Sequence, residues 1–287
     1  FMIVQKINEV SIKNYNTAKM MSILNLDNDS LMNIFEYLSI YDLLEVEKVC
    51  ELFKSTCEGV YASKKFHKVR IELRSLRTEC FKDILKRIGN SLKKFEFSGG
   101  YIMDQAIKDV MIDGVTKLCP KLKHLSINYV TFTIESFHRL QDCFINLSCL
   151  DLSRCSLCES SLGNLELNGE TLKSIKVLKL AGNTSMKGSL FKNMKHVEVL
   201  DVSYCYELSF FYFKDFLKNC IHLIELDVSA SCQVIPEDEV FLEVLLQNQP
   251  KIEKLLMNNT GVSKNEEILS KFKHLKEASF EGRRFGT

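Results

Sequence analysis

One apolar pattern, Leu-x-x-Leu-x-Leu with Val, Ile, Phe, Met or Ala substituting, occurs nine times between Phe66 and Phe280, and nothing else in the chain restricts its fold so strongly. The clearest copies are Leu122-x-x-Leu125-x-Ile127, Leu147-x-x-Leu150-x-Leu152, Ile175-x-x-Leu178-x-Leu180, Val197-x-x-Leu200-x-Val202, Leu223-x-x-Leu226-x-Val228 and Ile252-x-x-Leu255-x-Met257. Phe66-x-x-Val69-x-Ile71, Leu92-x-x-Phe95-x-Phe97 and Leu275-x-x-Ala278-x-Phe280 are weaker copies. Their central residues are 22 to 30 positions apart. Alternation within each copy, with Leu150 and Leu152 facing in and Asp151 and Ser153 facing out, is the period of a strand with one buried face. Between copies the spacing turns helical, as at Phe213, Phe216 and Leu217, or at Val240, Leu242, Val244, Leu245 and Leu246. A single strand plus return segment cannot cover its own apolar face, so such units must stack.

Five residues after the central apolar position a small or polar group recurs: Cys155, Asn183, Cys205, Ser231 and Thr260. The chain turns inward there, and its buried amide groups need local partners. Cys119, Cys143 and Cys220 lead back into the strands. The whole resembles the cysteine-containing class of leucine-rich repeats. The resemblance implies an α/β leucine-rich-repeat solenoid over 66–287, of about 8–9 repeats, with a curved parallel sheet inside and helices outside. Leu162-x-x-Leu165-x-Leu167 also fits the strand pattern but lies too close to its neighbours for a further turn, and is expected on the convex side.

With 46% hydrophobic residues the chain can bury a substantial core, and its net charge of +1 supplies no global field toward nucleic acid or anionic membrane. No apolar run approaches the roughly 20 residues of a membrane helix. Phe1 to Met21 lacks the basic start and apolar stretch of a secretory leader. Eleven cysteines without paired spacing suit a reducing compartment, and the one Cys-x-x-Cys, Cys155 to Cys158, has no second pair to complete a metal site. His196, His222 and His274 occupy one structural position at different turns, which fits a solvated edge better than a catalytic base. Phosphate loops, Gly-x-Ser-x-Gly and His-Glu-x-x-His are all missing from the sequence. No catalytic residue, metal or cofactor is therefore expected.

Residues 23–65 follow a different period, and 1–22 before them are expected to form a flexible tail. Leu31, Ile34, Phe35 and Leu38 form one helical apolar stripe that Asp27, Asn28 or Asp29 can cap; Val46, Val49, Cys50 and Phe53 repeat the spacing on a second helix, with Ser39 to Asp42 as the joint. The string Leu26-Asp27-Asn28-Asp29-Ser30-Leu31-Met32-Asn33-Ile34-Phe35-Glu36-Tyr37-Leu38, then Asp42-Leu43-Leu44, then Val49-Cys50-x-x-Phe53, resembles an F-box. Asp27 stands where that family usually has Pro, Phe53 where it usually has Trp, and the family's later Trp is absent because the chain has none. A small all-α F-box ahead of the solenoid is the arrangement of the F-box and leucine-rich-repeat proteins. This resemblance implies a non-catalytic substrate receptor of a Skp–cullin–F-box ubiquitin ligase, cytoplasmic or nuclear, whose partners are the Skp adaptor, cullin through it, and a protein target. The adaptor contacts it implies are Leu26, Leu31, Ile34, Phe35, Leu38, Leu43, Leu44, Val49 and Cys50, some of them internal core. The rival reading is a non-ligase scaffold with a degenerate or differently used F-box.

Outward strand positions form columns across the concave face, one running Ser126, Asp151, Lys179, Asp201, Asp227, Leu256 and the next Asn128, Ser153, Ala181, Ser203, Ser229, Asn258. Tyr129 and Tyr204 flank them. The expected target-binding residues are Tyr129, Asp151, Lys179, Asp201, Tyr204 and Asp227, with the acidic members suited to a basic segment.

Overall fold

The computed structural model describes residues 23–100, 102–158, 172–231, 238–262 and 265–282. The tail at 1–22 and the Leu162 segment lie outside them. The chain divides after Val60 into two compact units.

The first unit opens with a 3-10 turn, Ile23–Asn25, and continues through helices α1 (Asn28–Phe35), α2 (Ile40–Val46) and α3 (Glu51–Ala62), the last running across the division. Asp27 caps α1 by accepting the Ser30 amide at 2.7 Å. Ser39 caps α2 by accepting the Asp42 amide at 3.2 Å, while its hydroxyl donates to the Asp42 carboxylate at 2.8 Å. These satisfy amides that have no partner within the first helical turn. The expected single helix over 46–53 is two: α2 ends at Val46 and α3 starts at Glu51. After Val46 the bonding tightens, with the Lys48 amide donating to Glu45 O and that of Val49 to Val46 O, so Val49 lies in a turn and Cys50, whose carbonyl accepts the Lys54 amide, leads into α3. That turn sends α3 back so that Phe53 meets Phe35 edge-on at 5.1 Å. The Thr56 hydroxyl, 2.8 Å from Asn28 Oδ1, ties α3 to the start of α1.

The second unit holds a parallel sheet that, among the described residues, has nine strands in sequence order: β1 (Lys68–Glu72), β2 (Lys94–Ser98), β3 (His124–Asn128), β4 (Cys149–Asp151), β5 (Val177–Lys179), β6 (Val199–Asp201), β7 (Glu225–Asp227), β8 (Lys254–Leu256) and β9 (Glu277–Ser279). The nine pattern centres are register partners throughout: Val69, Phe95, Leu125, Leu150, Leu178, Leu200, Leu226, Leu255 and Ala278. A one-residue slip would turn Phe95 and the six centres from Leu125 to Leu255 to solvent, which is why the spacing specifies this pairing, while Val69 and Ala278 on the two end strands are half-buried and exposed. The six from Leu125 to Leu255 are at most 2% exposed, and burial of each contributes about 1.5–3 kcal/mol.

Return segments carry α4 (Thr78–Ile88), α5 (Gln105–Lys117), α6 (Ile134–Gln141), α7 (Phe210–Asn219), α8 (Asp238–Asn248) and α9 (Glu266–Leu269). Phe81 of α4 stacks on Phe97 of β2 at 5.8 Å, placing the core between helix and sheet. The shortest step, from Leu178 to Leu200, leaves no room for a full helix, and a 3-10 segment, Ser189–Asn193, takes its place. Its Phe191 packs against Phe213 and Phe216 of α7. On α8 the buried stripe is Phe241, Leu242 and Leu245, while Val240 is exposed, so the core face is rotated from the one the spacing suggests.

The recurrent small residues do what a buried turn requires. Asn183 Oδ1 accepts the amides of Cys155 (3.1 Å) and Leu157 (2.9 Å), and its Nδ2 donates to Leu152 O (3.0 Å) and Leu180 O (2.7 Å). One turn along from Cys205, Ser231 accepts the Cys205 amide and donates to Val202 O. The Cys155 and Cys205 thiols donate to Ile127 O and Leu180 O. Burial pushes both thiols, and those of Cys57, Cys119 and Cys143, up to about 12, so they stay protonated and inert at neutral pH.

Candidate docking surfaces

In the first unit the residues read as adaptor contacts separate into two groups. Leu31 and Leu43 are 0% exposed, Phe35 2% and Leu44 6%. A partner cannot touch such side chains without opening the unit, so these four are core; the helical stripe that made them conspicuous is the stripe that packs inward. Ile34 and Val49 are exposed, and Leu26, Leu38 and Cys50 are half-buried. Three apolar side chains that the spacing did not single out are also exposed: Leu24, Leu52 and, almost fully, Tyr37 at 92%. They lie off the i, i+3, i+4 stripe, and an apolar residue off the stripe of a short helix was the available signal.

On the open face of the sheet the expected column is a register ladder: Ser126 pairs with Asp151, Asp151 with Lys179, Lys179 with Asp201, Asp201 with Asp227, and Asp227 with Leu256. The three aspartates share an internal task. Each sits two residues before a serine and accepts that serine's amide, at 3.0 Å for Asp151 and Asp201 and 2.9 Å for Asp227; Asp151 and Asp201 also accept the serine hydroxyl. Asp151 Oδ2 further receives Ser126 Oγ at 3.0 Å. Desolvation, with a smaller contribution from Asp227, raises the Asp201 carboxyl above its usual range despite the Ser203 hydrogen bonds.

The rim where the chain leaves the sheet has a feature the apolar pattern does not reveal. Four residues beyond each strand centre from β3 to β9 the backbone is left-handed: Tyr129, Arg154, Gly182, Tyr204, Ala230, Asn259 and Gly282. Tyr129 is half-buried and Tyr204 exposed. The Arg154 guanidinium lies over the Tyr129 ring and donates to its hydroxyl at 2.7 Å. Gly182 makes room for this, since a Cβ there would come within 2.8 Å of Arg154 Cγ. Gly182, Gly282 and Asn259 are residue types that favour this backbone and were the only legible trace of it.

The family model described as the F-box domain matches residues 23–65. Those residues are an F-box domain. A comparison with curated proteins gives no match. Among solved structures, the complex of Rad7 and Elc1 in yeast superposes with 15% identity over 97% of this chain and 85% of that chain at a TM-score of 0.48. An internalin from Listeria monocytogenes does so with 12% identity over 70% of each chain at 0.32. Both superpositions are loose, and the repeat architecture stands on the strand register itself. Within the F-box, two of the three departures from the usual pattern, Asp27 and Phe53, have a local account. Asp27 replaces Pro but caps α1, and the Ser30 hydrogen bonds hold its carboxyl below the usual 3.8. Phe53 replaces Trp and fills a buried site against Phe35, where an indole N–H is not required. No helix among the described residues is long and apolar enough to cross a membrane.

Proposed function

We propose that the chain is the substrate receptor of a Skp–cullin–F-box ubiquitin ligase, with the F-box docking on the Skp adaptor and the open face of the sheet holding the target. The observation that carries this reading is the F-box domain at 23–65 presenting exposed apolar side chains around a buried core of its own. Exposed apolar residues on so small a unit are free to be covered by a partner. In this reading Ile34 and Val49, with the accessible parts of Leu26, Leu38 and Cys50, make the adaptor contact, and Leu31, Phe35, Leu43 and Leu44 hold the shape that presents them. Tyr129, Asp151, Lys179, Asp201, Tyr204 and Asp227 belong to the target side.

The chain's contribution is then proximity rather than chemistry. Holding a target lysine beside a ubiquitin thioester carried elsewhere in the assembly raises its effective concentration and turns an encounter between separate molecules into one within a complex.

Pull-down of the Skp adaptor and cullin by the wild-type chain and by the double substitution Ile34→Asp, Val49→Asp tests this. Apolar anchors at a protein interface each contribute on the order of 2 kcal/mol, so the double substitution should abolish capture while leaving the circular dichroism unchanged. Adaptor capture without cullin by the wild-type chain would turn the reading toward a scaffold, and undiminished capture by the mutant would remove these residues from the interface. On the target side, once a target has been found by proximity labelling, Asp201→Lys with Asp227→Lys should weaken it and leave adaptor capture intact.

A further inference from the structure

The strand-start edge of β1 to β3 carries a row of cations. The Lys93 amide donates to His67 O and the Lys123 amide to Lys93 O, both at 2.9 Å, so these three residues stack on successive turns, about 4.8 Å apart along the edge. Segments 64–72, 93–96 and 121–124 together hold eight lysines and arginines against two glutamates. Both glutamates are engaged: Glu72 by Arg70 and Arg74, Glu96 by Lys94. Lys64, Lys68, Lys93 and Lys121 form no ion pair among the described residues, and Lys123 bonds only Asn146 O. All five of these lysines are exposed. After burial, the positive field of Lys93, Lys64 and Lys121 is the cause that holds the His67 imidazole below its usual range, which brings these groups together in space.

The same edge is neutralised further along the sheet. Lys176 pairs with Glu198 and Lys276 with Glu253, each at 2.7 Å across adjacent turns. At this level of the repeat the described residues therefore pair opposite charges where β5, β6, β8 and β9 begin and carry none at Ser148 and Ile224 ahead of β4 and β7, but leave the cations uncompensated where β1 to β3 begin. Like charges a strand apart disfavour one another unless a counter-charge is supplied, and here none comes from within the described chain.

We propose that this edge is a docking site for an acidic polypeptide segment, separate from the target face. Carboxylates one turn apart on a helix recur every 5–6 Å or so and match the pitch of the row. Nucleic acid fits less well, because single strands are held by aromatic stacking as well as charge. Tyr61 and Phe66, beside the start of this row, are buried, and among the described residues the exposed rings of the second unit, Tyr204, Tyr206, Phe211 and Tyr212, follow β6. The net charge of +1 makes the patch local rather than part of a basic surface.

The test is fluorescence anisotropy of the full chain with a labelled oligoglutamate peptide, set against single-stranded and duplex oligonucleotides of equal charge. The peptide should bind at low salt, weaken as salt rises, and lose on the order of tenfold in affinity with Lys93→Glu and Lys123→Glu, while Lys176→Gln with Lys276→Gln leaves it unchanged. Circular dichroism checks the fold of each variant, and Lys93→Gln with Lys123→Gln is the milder substitution should the reversal perturb it. Absence of peptide binding, equal loss in both pairs, or tighter binding of either oligonucleotide overturns the assignment. Because no adaptor or cullin enters this measurement, its failure leaves the ligase reading untouched, and the reverse.

Discussion

Asn183 ties two consecutive turns of the rim together, and its removal can be costed from the hydrogen bonds alone. Truncation to Ala withdraws the acceptor from the Cys155 and Leu157 amides and the donor from Leu152 O and Leu180 O. Leu180 O still receives its own turn's Asn183 amide and the Cys205 thiol. Three buried groups are therefore stranded, the amides of Cys155 and Leu157 and the carbonyl of Leu152. At about 1–3 kcal/mol for each buried group left unpaired, and taking the low end because the vacated space admits water, Asn183→Ala should lose roughly 3–5 kcal/mol. That is a large share of the 5–15 kcal/mol or so that holds a typical domain folded. Asn183→Cys is the informative companion. Cysteine serves this position at Cys155 and Cys205, and its thiol replaces one donor but neither strong acceptor, so it should recover only about 1 kcal/mol. Urea unfolding followed by circular dichroism measures both, and amide exchange should show lost protection at Cys155 and Leu157 in particular. A loss below about 1 kcal/mol for the Ala variant, with protection retained, would refute the view that this side chain carries the turn.

Three other outcomes are expected. The Asp27 carboxyl is held below 3.8 by the Ser30 bonds, so its contribution is present above the unfolded value and disappears as pH falls through the folded one; Asp27→Ala should be less stable than wild type at pH 7 and equal to it in strong acid, and a difference that persists there argues against the cap. Asp201 shows the opposite sign. Its folded value is raised, mainly by desolvation, so ionisation costs stability as pH climbs above 3.8; Asp201→Asn, which keeps an acceptor for Ser203, should match or exceed wild-type stability at pH 7, as thermal melts across pH will show. Denatured without reductant, the protein should titrate with eleven thiols, and in the folded protein the five that burial holds up to about 12 should react slowly; two or more reproducible disulfides would contradict the reducing compartment.

The sheet was legible because its determinant is local and repeated: an apolar residue at each inner strand centre has one place to go, and the seven buried centres from Phe95 to Leu255, in register, leave no second arrangement. The F-box was legible as an ordered string of residues. Its division into helices was not, because Val46, Val49, Cys50 and Phe53 keep helical spacing across a turn made by two tightened hydrogen bonds. Nor was the split between core and surface, since Leu31 and Ile34 are alike in type and yet one is buried and the other exposed. The aspartates of the open face looked like surface charge, yet Asp151, Asp201 and Asp227 each close a turn through a serine two residues on, a bond that apolar periodicity does not register.

The left-handed residues at the rim limit how this protein can change. An L-residue in that conformation costs roughly 1 kcal/mol, and a branch at Cβ makes it a severe outlier. The seven positions hold Tyr, Arg, Gly, Tyr, Ala, Asn and Gly, and none is Val, Ile or Thr. Substitution there can lengthen, charge or delete a side chain but cannot branch it, so the rim can diversify through reach and charge while the branched, rigid contacts common inside the sheet stay closed to it.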